Sequence, residues 1–149
     1  ADADFFDRLV DAIAATGAMM GFDAIGGGKT AATLLSAMEA VASKGAAYSR
    51  YGSDTMKRVY VYGALDLGPI VLPRTFGFAW NVGGWLLLPF LAKQGAEGQM
   101  KLAARVIGGL TTTFASSYKA KIGLEEMLTK DVAMAYNAKA TGEKYLITP

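Results

Sequence analysis

Two apolar runs that stop on glycine constrain this chain more than any other feature. Met19-Met20-Gly21-Phe22-Asp23-Ala24-Ile25-Gly26-Gly27-Gly28 reads as a buried strand running into a glycine turn and then a helix. Val59-Tyr60-Val61-Tyr62-Gly63-Ala64 reads as a second strand, again closed by glycine. Between them, Lys29 to Ser43 places Leu34, Leu35, Met38 and Val41 on one helical stripe, with Gly45 as its stop. Strand, helix and strand at this spacing predict a right-handed βαβ crossover. The first strand is apolar on both faces, as expected of a parallel sheet covered by helices on each side.

The flanking segments extend this α/β pattern. Phe5, Leu9 and Ile13 fall at helical spacing, with Asp2 or Asp4 as a cap and Gly17 as the stop. Ala46 to Thr55 reads as a polar loop, and Leu67 to Pro73, punctuated by Gly68, Pro69 and Pro73, as another. A third strand is expected near Ala79 to Gly84, then a short helix over Leu86 to Lys93 closed by Gly95. A longer helix follows over Ala96 to Leu110, buried through Ala103, Val106, Ile107 and Leu110. Phe114 to Ile122 reads as a strand, Leu124 to Ala138 as helix broken near Thr129-Lys130-Asp131, and Tyr145 to Ile147 as a last short strand.

Composition narrows the function classes. Hydrophobic residues make up 52% of the 149 and charged residues 19%, enough for a packed core. The net charge is +2 and the basic residues are scattered pairs such as Lys57-Arg58, so no nucleic-acid stripe is expected. There is no cysteine and no histidine, which excludes disulfides, thiol catalysis, a Ser-His-Asp triad and the usual zinc sites. Absence of cysteine fits a reducing compartment, and a cytoplasmic location is the expectation. The acidic N-terminus is no signal peptide, and the longest apolar stretch, Val82 to Ala92, is too short to span a bilayer, so no membrane role is expected.

Ligands of open α/β sheets sit at the carboxyl ends of the strands, where Ile25-Gly26-Gly27 and Tyr62-Gly63-Ala64 fall. Glycine there lets a flat ring approach the backbone, or only makes a tight turn. Asp23 is either catalytic or a cap for the next helix, and Tyr62 lines a ligand pocket or packs on it. Trp85 belongs to a core, an interface or a ligand. Thr111-Thr112-Thr113 and Ser116-Ser117 have no base beside them and read as structural. Gly26-Gly27-Gly28-Lys29-Thr30 after a strand also approaches a phosphate-binding P-loop, but Asp23 stands where the first glycine of that pattern belongs.

Taken in order, Phe22-Asp23-Ala24-Ile25-Gly26-Gly27, Tyr62-Gly63, Gly84-Trp85-Leu86 and Lys139-Ala140-Thr141-Gly142-Glu143-Lys144-Tyr145-Leu146-Ile147 resemble the C-terminal half of medium-chain dehydrogenases/reductases, of the zinc-dehydrogenase-like and quinone-oxidoreductase-like branches. The resemblance covers nearly the whole chain. It implies a partial Rossmann-type, doubly wound parallel sheet made of the later strands, over residues 1–112, and a C-terminal segment, 113–149, that returns to the catalytic domain. No glycine fingerprint fits before Asp4, and the chain enters a helix almost at Ala1, so it reads as a piece of a larger enzyme. The parent is expected to be an NAD(P)-dependent oxidoreductase moving hydride between nicotinamide and a carbonyl, enal or quinone. The cofactor would be NADP or NAD, weakly held or not at all by the piece alone. Ile25, Gly26, Gly27, Tyr62, Gly63, Ala64 and Lys139 are the implied cofactor-binding residues. Lys139 matches a basic position near the cofactor phosphates in some quinone-reductase-like members, or is merely solubilising. The implied partners are the cofactor, a small-molecule substrate and, as a homodimer, a second copy joined through the third strand. The alternatives are a P-loop-like nucleotide-binding protein and a non-catalytic dimerisation module.

Overall fold

The computed structural model describes residues 3–138 and 144–149. The chain packs as two compact units, 1–90 and 91–149.

The first unit holds nearly all of the core. Helix α1 (Phe5–Thr16) ends at Gly17, whose N–H donates to the Ile13 carbonyl. Asp4 stands at its N-cap position without a side-chain capping bond and pairs with exposed Arg8 instead. Strand β1 (Met20–Asp23) follows, then β2 (Gly26–Gly28) and helix α2 (Thr30–Ala42). The α2 sequence is rich in Ala, Leu and Met, strong helix formers. Strands β3 (Lys57–Val61), β4 (Asp66–Ile70) and β5 (Trp80–Gly84) complete the unit.

Strands β1, β3 and β5 form a parallel sheet in that order, with Asp23 opposite Val61 and Val61 opposite Gly84. All three carboxyl ends therefore share one edge. Helix α2 covers one face: Ala31, Ala32 and Leu35 pack with Val59 and Phe76, and Trp80 and Val82 lean on the same cluster. On its other side α2 meets α1 through Ala37, Met38 and Ile13.

Two local expectations are corrected. The glycine turn after β1 is a strand, and the expected loop from Leu67 is largely β4, which pairs with β2 in parallel. The register slips between Gly26 and Gly28, and this irregularity takes up Gly68 and Pro69. Proline is tolerated because β4 is an edge strand with one side unpaired.

In the second unit, α3 (Leu87–Gly108) begins in the first unit and is interrupted at Gly95, which has φ 65° and ψ 179°. That conformation suits glycine, and it divides the helix where the sequence placed a stop. The stripe Ala103, Val106, Ile107 and Leu110 is not buried but exposed. The expected strand from Phe114 shrinks to β6 (Ala120–Ile122), because Gly109 to Phe114 closes α3 as a turn, with Phe114 N–H donating to the Gly109 carbonyl. Helices α4 (Leu124–Met127) and α5 (Lys130–Asn137) are separate, and Thr129 stands at the N-cap position of the second in an extended conformation, without a side-chain capping bond. Strand β7 (Tyr145–Ile147) pairs with β6 in parallel. Among the described residues no helix is long and apolar enough to cross a membrane.

Candidate functional site

The chain leaves the sheet through three adjacent segments at the shared carboxyl edge. Tyr62 N–H donates to the Asp23 carbonyl and Trp85 N–H to the Val61 carbonyl, so the ladder continues one residue past each strand end. Beyond it, the two glycine turns are packed directly on each other. A Cβ on Gly63 would collide with the Ala24 backbone, and one on Gly26 would come within 2.6 Å of the Gly63 carbonyl oxygen. Gly26 also has φ 93°, which disfavours any side chain. A Cβ on Gly27 would come within 2.6 Å of the Asp66 carboxyl carbon. Turn-to-turn packing thus accounts for the glycines at 26 and 63.

Asp23 fastens this arrangement. It is 1% exposed, and its Oδ1 accepts from Ile25 N–H at 2.8 Å and Gly26 N–H at 3.2 Å. Its Oδ2 is buried without a partner among the described residues. Helix α2 starts later, at Thr30, with Lys29 at its N-cap position and no side-chain cap, so Asp23 braces the turn rather than capping the helix. Oppositely from a phosphate cradle, Gly26–Gly28 runs as a strand with the Asp66 carboxylate against Gly27. A negative charge there opposes the anion that a P-loop would hold.

Next to the braced turns lies an open groove of about 540 Å³, walled by Val61, Tyr62, Gly63, Ala64, Gly84, Trp85, Leu86 and Pro89. It contains three of the seven residues implied as cofactor-binding, Tyr62, Gly63 and Ala64. Ile25, Gly26 and Gly27 stand behind it at the end of β1 and do not line it. Lys139 lies outside the described residues. Gly84, Trp85, Leu86 and Pro89 complete the wall from β5 and the start of α3, and of these only Trp85 drew notice in sequence as a possible ligand contact. No charged side chain lines the groove. Tyr62 is 49% exposed, and Trp85 packs edge-on to Phe22 at 6.5 Å and against Phe90 at 5.4 Å. Neither the Tyr62 hydroxyl nor the Trp85 indole N–H has a hydrogen-bond partner among the described residues. A Cβ on Gly84 would meet nothing within 4 Å, so the groove is open there. Among the described residues no cluster of acidic side chains could hold a metal ion.

No family model matches the sequence, and no curated protein does. Solved structures do match. A protein assigned as an NADPH:quinone reductase from Mesorhizobium loti superposes with a TM-score of 0.59 at 19% identity. A mutant enoyl thioester reductase from Candida tropicalis gives 0.52 at 17%. An enoyl thioester reductase in complex with NADP and crotonyl-CoA gives 0.53 at 17%. The fold is that of the medium-chain dehydrogenases/reductases. Each comparison covers 99% of this chain and 38% of the solved one, so the chain spans well under half the length of these medium-chain dehydrogenases.

Proposed function

We propose that this chain is the nicotinamide-facing part of an NAD(P)-dependent oxidoreductase that moves hydride between the cofactor and a carbonyl, enal or quinone. The observation that carries this reading is the uncharged, aromatic-walled groove at the carboxyl ends of β3 and β5, on a medium-chain dehydrogenase fold. Tyr62, Gly63 and Ala64 form one wall of the nicotinamide seat, with Ile25, Gly26 and Gly27 as the turn that supports it. Lys139 serves the cofactor phosphates. In the same reading 1–112 belongs to the nucleotide domain and 113–149 to the catalytic domain.

The nicotinamide supplies the hydride, and the protein's work is to hold, orient and shield. Apolar walls at Val61, Ala64, Leu86 and Pro89 displace water from a flat ring. Trp85 offers a face for stacking. The unused donors of Tyr62 and Trp85 fit a carboxamide or carbonyl oxygen, which needs no charged partner. Braced by Asp23, the turns keep that wall from moving as the ring seats.

Gly84→Val tests the assignment. The added side chain enters open groove rather than packed backbone, so it blocks a ring without disturbing the fold. In the full-length enzyme, fluorescence titration with NADPH and NADH is expected to show at least tenfold weaker binding, with unchanged melting. Unaltered affinity for both would refute the site. The 149-residue chain alone is expected to oxidise no NADPH with quinones or enals, and robust turnover that tracks the purified chain would contradict that.

A further inference from the structure

A second pocket, of about 550 Å³, lies at the end of the sheet opposite the groove, where residues 43–54 connect the end of α2 to the start of β3. Every residue lining it belongs to the first unit. Its volume is in the range of small-molecule sites. No lysine or arginine lines it, and Lys44 and Arg50 of the same segment stand outside the lining.

The floor presents lone pairs. Ser43 Oγ donates to Glu39 Oε1 at 2.6 Å, and Ser53 Oγ donates to Glu39 Oε2 at 2.7 Å. The Ser53 N–H also donates to Oε1, and the Gly52 N–H to the Ser49 carbonyl. The Glu39 carboxylate therefore turns both hydroxyl protons inward and leaves the serine oxygens as acceptors. Gly52 lets the loop come this close, since a Cβ there would stand 2.7 Å from Glu39 Oε1. Lys57, the counter-ion of Glu39, is fully buried and spends its donors on Glu39, Ser53 and the Thr55 carbonyl. Ser49 accepts from the Tyr51 N–H and keeps a hydroxyl proton that can rotate.

Three further features select a cation. Ala42 and Ser43 are the last residue and the C-cap of α2, a 13-residue helix whose dipole favours positive charge at that end. Asp54, exposed in the lining, has no hydrogen-bond or ion-pair partner among the described residues. Tyr48 adds a ring whose face attracts a cation. The methyl groups of Ala42, Ala46 and Ala47 supply apolar wall for an alkyl stem. We propose that this pocket binds a free alkylamine as its ammonium ion. The ammonium donates to the oxygens of Ser43 and Ser53, the Asp54 carboxylate and the end of α2 balance its charge, and the stem lies on the alanines. An anion is disfavoured, because the floor donors are turned away from it and Asp54 repels it. The proposal does not depend on the cofactor reading.

Pentylamine is the probe, titrated into the 149-residue chain by calorimetry and followed by amide NMR. Binding is expected to saturate, with shifts confined to residues 42–54. Pentanol, of the same shape without the charge, and inorganic phosphate are expected not to bind. Asp54→Asn should weaken pentylamine binding about tenfold by removing the charged acceptor. Ala47→Trp, at an exposed loop position, should fill the pocket and abolish binding with unchanged melting. The pentanol comparison uses the wild type, so it decides even where a variant fails to fold. The proposal is overturned if pentylamine does not saturate, or if pentanol or phosphate binds as tightly. Full binding by a folded Ala47→Trp variant also overturns it. So does tighter binding of an Nα-acetylated lysine amide than of pentylamine, since the occupant is then a protein side chain.

Discussion

Glu39 is the clearest case of a single side chain deciding local structure. It is 8% exposed on α2 and pairs with Lys57, which is fully buried on β3. Burial pushes its pKa up, but the bond from Lys57 and those from Ser43 and Ser53 more than reverse this and hold it at about 2. The Lys57 ammonium also donates to Ser53 Oγ and the Thr55 carbonyl, so its donors are all used. The cluster ties α2, the 49–55 loop and β3 together at the edge remote from the groove. Lys57→Met is expected to destabilise the chain by about 3–5 kcal/mol, because it strands a buried carboxylate. The pH dependence has a defined sign. A carboxylate depressed from 4.5 to about 2 contributes stability in full above 4.5 and loses it as pH falls toward 2. Urea unfolding across that window should show a steeper loss in the wild type than in Glu39→Gln, and parallel curves would remove Glu39 as the cause. Glycines separate in the same way. Gly63→Ala drives a methyl into the Ala24 backbone and should cost about 1–3 kcal/mol or more by overpacking, whereas Gly84→Val should leave the melting temperature unchanged.

At the scale of elements, local patterns were legible and long-range pairings were not. The stripe of Leu34, Leu35, Met38 and Val41 announced α2, and the apolar runs announced β1, β3 and β5, because burial writes its period into the sequence. Gly95 and Thr129 marked breaks that the backbone makes. Strand β4 stayed hidden because Gly68 and Pro69 read as a loop, and only its partner across the slip at Gly26–Gly28 makes it a strand. The bracing by Asp23 was hidden for the same reason, since it depends on two backbone N–H groups brought back by a turn. Leu86 and Pro89 join the groove only through where α3 begins. Strand β5 ends the sheet with an unpaired side, and we propose that two copies pair there. Val82 leans on the core beneath α2, so a charge there would unfold the unit. Asn81 is exposed and gives the clean probe. Asn81→Lys is expected to turn a sedimenting dimer into a monomer, and a dimer that persists would move the interface elsewhere.

For the whole molecule, the decisive contrast is between the two units. Among the described residues, 1–90 contain every buried core residue except Ile122. Residues 91–149 hold a two-stranded parallel sheet and helices whose apolar side chains, such as Ile107 at 69%, Leu128 at 76% and Met134 at 63%, face outward. Two parallel strands do not stand by themselves, and among the described residues of this unit Ile122 is the one buried hydrophobic side chain. In the first unit α2 buries an apolar layer against the sheet and α1 packs on the other side of α2. Hydrogen exchange on the 149-residue chain should therefore be strongly graded. Amides of β1, β3 and α2 are expected to exchange only with global unfolding of the first unit, whereas amides of β6, β7 and α5 should exchange orders of magnitude faster. Calorimetry should show one cooperative transition, and removing residues 91–149 should leave its midpoint nearly unchanged. If β6 and β7 prove as protected as β3, or if the truncation abolishes the transition, the second unit contributes to the core and this division of stability is wrong.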